Sequence, residues 1–93
     1  PITVQQNQRI RVYLLNMIEF DPAVTFHIHA NLFQVFRTGR TLTASEETDV
    51  IMMGTAERHV LEFSYSYLGE YMFHPHQDVI AELGCMGLFK VIA

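Results

Sequence analysis

The sequence predicts an all-β domain, a sandwich or barrel of short antiparallel strands, on three observations. Apolar residues recur at every second position in several stretches, turn-forming residues punctuate the gaps, and hardly any stretch carries helical spacing. The 93 residues suit one domain, residues 1–93, with no repeat, linker or low-complexity tract. A composition of 49% hydrophobic and 17% charged residues belongs to a chain that folds.

The elements follow in order. In "RIRVYLLN", Ile10, Val12 and Leu14 share one face, and Arg9, Arg11 and Tyr13 the other. After the turn "FDPA", the stretch "TFHIHANLFQVF" continues the two-residue period. "RTGR", "MGTAE" and "YLGE" are further turn chemistry, separating "TDVIMM", "RHVLEFSY" and "GEYMFHPH". "DVIAELG", residues 78–84, predicts a short helical turn closed by Gly84, and "MGLFKVIA" a last strand.

Composition excludes several functions. A formal charge of −4, with six scattered basic residues, provides no basic footprint for nucleic acid and no basic amphipathic helix for a membrane surface. No apolar run approaches the ~20 residues of a membrane-spanning helix. The single cysteine, Cys85, excludes an internal disulfide. No signal peptide is read in these residues, and the abrupt start at "PITV" leads to the expectation that one has been removed.

Chemistry concentrates in the histidines. Four of five fall in two His-x-His pairs, His27/His29 and His74/His76. On a strand, residues two apart share a face with Cβ atoms roughly 6 to 7 Å apart, so each pair projects two imidazoles from one side. Phe26, Ile28 and Ala30 then point the opposite way. Should the two strands be neighbours, four imidazoles converge on one surface. Neutral imidazole without carboxylate or thiolate in either motif leans toward copper or zinc. His59, with no partner nearby, reads as a surface residue.

"VTFHIHANLFQVF", "GTAERHVLEFSYSYLGEYMFHPH" and "ELGCMGLFKV" together resemble the C-terminal cupredoxin domain of multicopper oxidases over nearly the whole chain. The resemblance implies a Greek-key sandwich or barrel and a laccase-like half-site for a trinuclear copper cluster, where dioxygen is reduced to water. It implies His27 as a type 2 copper ligand and His29, His74 and His76 as type 3 ligands. Because four histidines are half a ligand set, it further implies a second cupredoxin domain or a homo-oligomer, a trimer as in some short bacterial and archaeal members. The compartment is periplasmic or extracellular if the chain follows the family. Such domains usually begin with a strand ahead of the segment resembling "PITVQQNQRIRVYLLN". The expectation is a chain excised from a larger oxidase, or a fold lacking its first strand and left with an exposed edge.

Departures from the family pattern are equally specific. Its type 1 copper ligands, two His, a Cys and usually a Met, correspond here to Val24, Ile80, Pro75 and Cys85. The type 1 pocket is therefore expected to be filled by apolar side chains. Electrons must then come from a type 1 centre elsewhere or directly from a reductant. Pro75 lacks an N–H, which suggests an edge strand or bulge. Cys85 is expected as a buried small hydrophobe rather than part of a soft-metal site with Met86. Met52, Met53, Met72 and Met86 are expected to fill core, and Tyr65, Tyr67 and Tyr71 to pack at the sandwich end. Asp78, two residues beyond His76, either orients His76 and relays protons, a catalytic role, or caps the following turn, the reading favoured here.

Two rivals use similar residues. Cupins follow His-x-His with a Glu three or four residues later, where this chain has Leu32 and Phe33. A zinc hydrolase needs three ligands, an open position and a general base, and no base is evident beside these histidines. An isolated copper- or zinc-binding cupredoxin module without turnover is the alternative function.

Overall fold

The computed structural model describes residues 1–93 as two packed β-sheets. Strands β1 (Ile2–Gln5), β3 (Ala23–Ile28), β6 (Val50–Gly54), β8 (Gly69–His74) and β9 (Gly87–Ile92) form the first sheet, in the order β1-β9-β8-β3-β6. Strands β2 (Ile10–Leu15), β4 (Phe33–Arg37), β5 (Glu46–Thr48) and β7 (Arg58–Phe63) form the second, in the order β2-β7-β4-β5. A single five-residue helix, α1 (Asp78–Glu82), links β8 to β9, and no helix is long and apolar enough to cross a membrane. This is the sandwich expected from the alternation, in the cupredoxin-like form that the resemblance implies. The "PITV" segment forms β1, paired in parallel with β9.

Alternation builds the core. Ile10 on β2, Val35 on β4, and Leu61 and Phe63 on β7 face inward from one sheet. They meet Val4, Ile28, Ile51, Met53, Phe89 and Val91 from the other. Phe33, Ile28, Leu61 and Val35 are the largest fully buried side chains. Gly87 permits close packing at one point: an added Cβ would overlap the ring of Phe73, which lies across the strand and packs on Phe89 at 4.8 Å. Met53 fills core as expected, whereas Met52 and Met86 are exposed, because they occupy an outward-facing strand position and a loop. Tyr65 is buried and stacks on Tyr71 at 4.2 Å, while Tyr67 stays in solvent.

"TFHIHANLFQVF" is not one strand. Ala30 adopts φ 59° and turns the chain, so that β3 and β4 lie in different sheets. Ala30 and Leu32 prolong the alternation of Phe26 and Ile28 in the sequence and so conceal the crossover, but both are exposed, and the inward positions resume out of phase at Phe33 and Val35. Only the exposed Ala30 departs from the expected inward set.

Candidate metal centre

β3 and β8 are antiparallel neighbours, with His27 directly opposite His74. His29 lies one residue beyond β3, and its N–H donates to the carbonyl of Met72, which holds the chain in register past the strand end. His76 lies two residues beyond β8, its N–H donating to Thr25 Oγ1 at 2.7 Å. Thr25 in turn donates to Gln77 Oε1, and Gln77 Nε2 donates to the Ala23 carbonyl. The side chain of Gln77 thereby pins the segment after β8 against β3.

All four rings gather on the outer face of the first sheet. Centroids are 5.4 Å apart for His27–His29, 5.5 Å for His27–His74, 5.1 Å for His29–His74, 5.1 Å for His27–His76 and 6.0 Å for His74–His76. His27, His29 and His74 bring one ligand atom each within 4.8 Å of one another; His76 lies outside that triad and is more exposed. Imidazole nitrogens about 2.0–2.1 Å from a metal can be no more than about 4.2 Å apart, so a small ring rotation suffices to close the triad on an ion.

Hydrogen bonds assign the tautomers. His27 Nδ1 is 2.7 Å from the carbonyl of Asp49, and His74 Nδ1 is 2.6 Å from the carbonyl of Pro75. A carbonyl only accepts, so both Nδ1 atoms carry the proton and both Nε2 atoms present a lone pair. His29 Nε2 lies 2.9 Å from His74 Nε2 and, in the metal-free chain, must donate to it. Burial, reinforced by repulsion from His74, His27 and His76, holds the pKa of His29 below its ordinary value. These are neutral imidazoles ordered by backbone acceptors, the arrangement that orients metal-binding histidines.

Asp49 went unassigned in the sequence. It lies just before β6, where the register pairs Val50 with His27, and its carboxylate Oδ2 stands 3.7 Å from His27 Nδ1. No spacing rule links residue 49 to residue 27; only the β3–β6 pairing does. Asp78 is exposed and forms the first residue of α1, whose N-cap is Gln77 with no side-chain cap bond. The capping role expected of Asp78 is therefore not found, because the helix begins one residue earlier than a cap at 78 requires.

Further expectations are corrected. His59 is not on the surface: it is 4% exposed, and its neighbours on β7 alternate it into the interior. Its Nδ1 accepts from the Thr38 N–H at 2.9 Å, and its Nε2 donates to Glu57 Oε1 at 3.0 Å. Both ring nitrogens are thus occupied, which makes it a fully satisfied structural histidine. Cys85 is exposed rather than buried, since it sits in the loop between α1 and β9. Pro75 marks neither an edge strand nor a bulge: it follows the last residue of β8, third strand of five, where no ladder N–H is needed. Val24, Pro75 and Cys85 line a cavity of about 430 Å³ rather than filling it, and Ile80 stands apart from its lining.

Two packed sheets with a histidine cluster at the ends of neighbouring strands define a cupredoxin-like domain with a candidate metal centre. A family model described as multicopper oxidase matches residues 1–93, and the chain belongs to the multicopper oxidase family. It superposes on a crystal structure of a multicopper oxidase with TM-score 0.97 and 44% identity, over 99% of this chain and 32% of that one. It also superposes on a copper-containing nitrite reductase from Thermus scotoductus SA-01, with TM-score 0.89 and 21% identity over 99% of this chain and 22% of that one. A multicopper oxidase from Campylobacter jejuni, described as a metallo-oxidase, gives TM-score 0.82 and 22% identity over 98% of this chain and 20% of that one. These last two likenesses concern the fold alone. The chain spans about a third of the length of the multicopper oxidase it matches at 44% identity. No match was found among curated proteins.

Proposed function

We propose that this domain supplies half of the ligands of a trinuclear copper centre, His27 toward the type 2 ion and His29, His74 and His76 toward the type 3 pair. A complementary cupredoxin domain or further copies of the chain, a trimer among them, supply the rest. The observation that supports this most directly is the His27, His29 and His74 triad, with two lone pairs aimed by backbone carbonyls. The donor set suits copper: neutral imidazoles, with no thiolate or carboxylate among the converging ligand atoms. Copper held there supplies the one-electron steps through which dioxygen is reduced to water.

The chain's own residues contribute order and charge control. The Asp49 and Pro75 carbonyls keep His27 and His74 from rotating, and the Asp49 carboxylate faces the positive charge that a bound ion places on His27. Within the triad, His29 alone must shift its proton from Nε2 to Nδ1 to ligate through Nε2. The depressed pKa of His29 keeps a second proton off the ring. Asp78, exposed beyond His76, is assigned the proton relay between solvent and the cluster. Pro75 brings no sulfur, so electrons reach the cluster from a type 1 centre in another domain or from a reductant bound directly.

A second reading rests on the exclusion of His76 from the triad. Three imidazoles around an open position also suit a single copper or zinc ion in a module without turnover. Copper per chain, measured together with solution mass, separates the two. A trinuclear complement confined to assembled species supports the oxidase half-site. One metal per monomer overturns it in favour of the mononuclear module.

A further inference from the structure

The cavity beside the cluster is built from both sheets and the loops that join them. Its walls come from the end of β2 and the loop after it, from β3, β6 and β8, and from the loop between α1 and β9. At about 430 Å³ it falls within the roughly 300–1,000 Å³ of small-molecule sites. Phe26 and Phe73, 5.9 Å apart, form part of the wall, and Met17, Met53 and Met86 present thioethers. Thioethers and aromatic ring edges both favour contact with a further aromatic ring.

The polar groups in the wall are already engaged. Asn16 Nδ2 donates to the Met53 carbonyl and its Oδ1 accepts from the Ile18 N–H. The Thr25 hydroxyl donates to Gln77, and His74 Nδ1 donates to the Pro75 carbonyl. No Asp, Glu, Lys or Arg lines the space. Water entering it finds few partners, and a charged ligand finds no counter-charge.

We infer that this cavity is a binding site for a small neutral aromatic molecule, one that rests on the Phe26–Phe73 wall and reaches Pro75 and His74. The occupant then lies against His74, a residue of the metal-binding triad, while His27 and His29 take no part in the lining. Binding requires no metal, so the inference stands or falls separately from the copper reading. It concerns occupancy alone and involves no bond making or electron transfer.

The methionines make the test direct. The chain has five, Met17, Met52, Met53, Met72 and Met86, and no tryptophan. Three line the cavity, while Met52 and Met72 do not. The metal-free chain, labelled with ¹³C at the methionine methyls, is titrated with indole. Met17, Met53 and Met86 are expected to shift along one saturable curve, with Met52 and Met72 unmoved and indole fluorescence, free of tryptophan background, changing in parallel. Cys85→Phe, a change at an exposed lining position, should weaken binding on the order of tenfold or more by occupying the mouth. Shifts spread evenly over all five methyls, or none that saturate, would overturn the inference. So would cavity methyls that respond to protein concentration and not to indole, because a second copy of the chain would then close the space.

Discussion

His74 and Pro75 are adjacent residues that border two very different regions. On one side lies a cluster of imidazoles with lone pairs aimed by backbone carbonyls; on the other lies an apolar cavity lined by Val24, Pro75 and Cys85, three of the four positions that the resemblance matches to type 1 ligands. Both regions hang on the same strand ends, so the scaffold alone does not make a metal site. The difference lies in side-chain donors and in what fixes them. His27 and His74 each have Nδ1 tied to a carbonyl, which leaves Nε2 to ligate. Val24 and Pro75 offer no donor at all, and the space between the walls persists without one.

Exchanging these roles should produce separable losses. Met53→Ala removes a buried cavity wall, and should cost about 2–5 kcal/mol in urea unfolding while leaving copper affinity at the cluster unchanged. His74→Ala should do the reverse, lowering copper affinity by on the order of 10²-fold or more in equilibrium dialysis, with little change in unfolding midpoint, since its ring is partly exposed. Equal effects of the two changes on both measurements would dissolve the distinction between the regions.

His59 tests whether histidine by itself signals a ligand. His59→Leu removes the hydrogen bonds that the buried His59 makes with the Thr38 N–H and the Glu57 carboxylate, and should cost about 1–3 kcal/mol of stability with no effect on copper uptake. Tyr65 gives a pH dependence that involves no imidazole titration, although its hydroxyl donates to the backbone carbonyl of His29 at 3.0 Å. Burial, with the neighbouring Tyr71, pushes its pKa up to about 12. The unfolded chain ionises near 10, so Tyr65 contributes its full stability below that pH and loses it progressively between about 10 and 12. Alkaline unfolding should therefore begin in that window, and Tyr65→Phe should reduce the loss there. Pro75→Cys should change least: no intense thiolate-to-copper band is expected, because Val24 and Ile80 still supply no imidazole.

Much of this was legible in the residues. The period of two gave the sheets, and the His-x-His pairs gave the cluster, because alternation dictates which side chains share a face. What escaped the sequence depended on long-range register. Asp49 reaches His27 only through the pairing of β3 with β6. His59 looked solitary although Glu57 stands two residues away, because its bond to Thr38 arises only through the pairing of β7 with β4. Cys85 carried an apolar expectation that its loop position overrides. The crossover at Ala30 was hidden because Ala30 and Leu32 prolong the alternation in the sequence, though both are exposed.

The central claim is that the fold aims the Nε2 lone pairs of His27 and His74 at a common point. Long-range ¹H–¹⁵N correlation spectra of the histidine rings, recorded before and after addition of Cu(I), test it most directly. The account predicts Nδ1–H tautomers for both residues in the metal-free chain, with Nε2 of His27, His29 and His74 shifting on metal addition and His59 unmoved. Nε2–H tautomers at His27 and His74, or metal-induced shifts confined to other side chains, would contradict it.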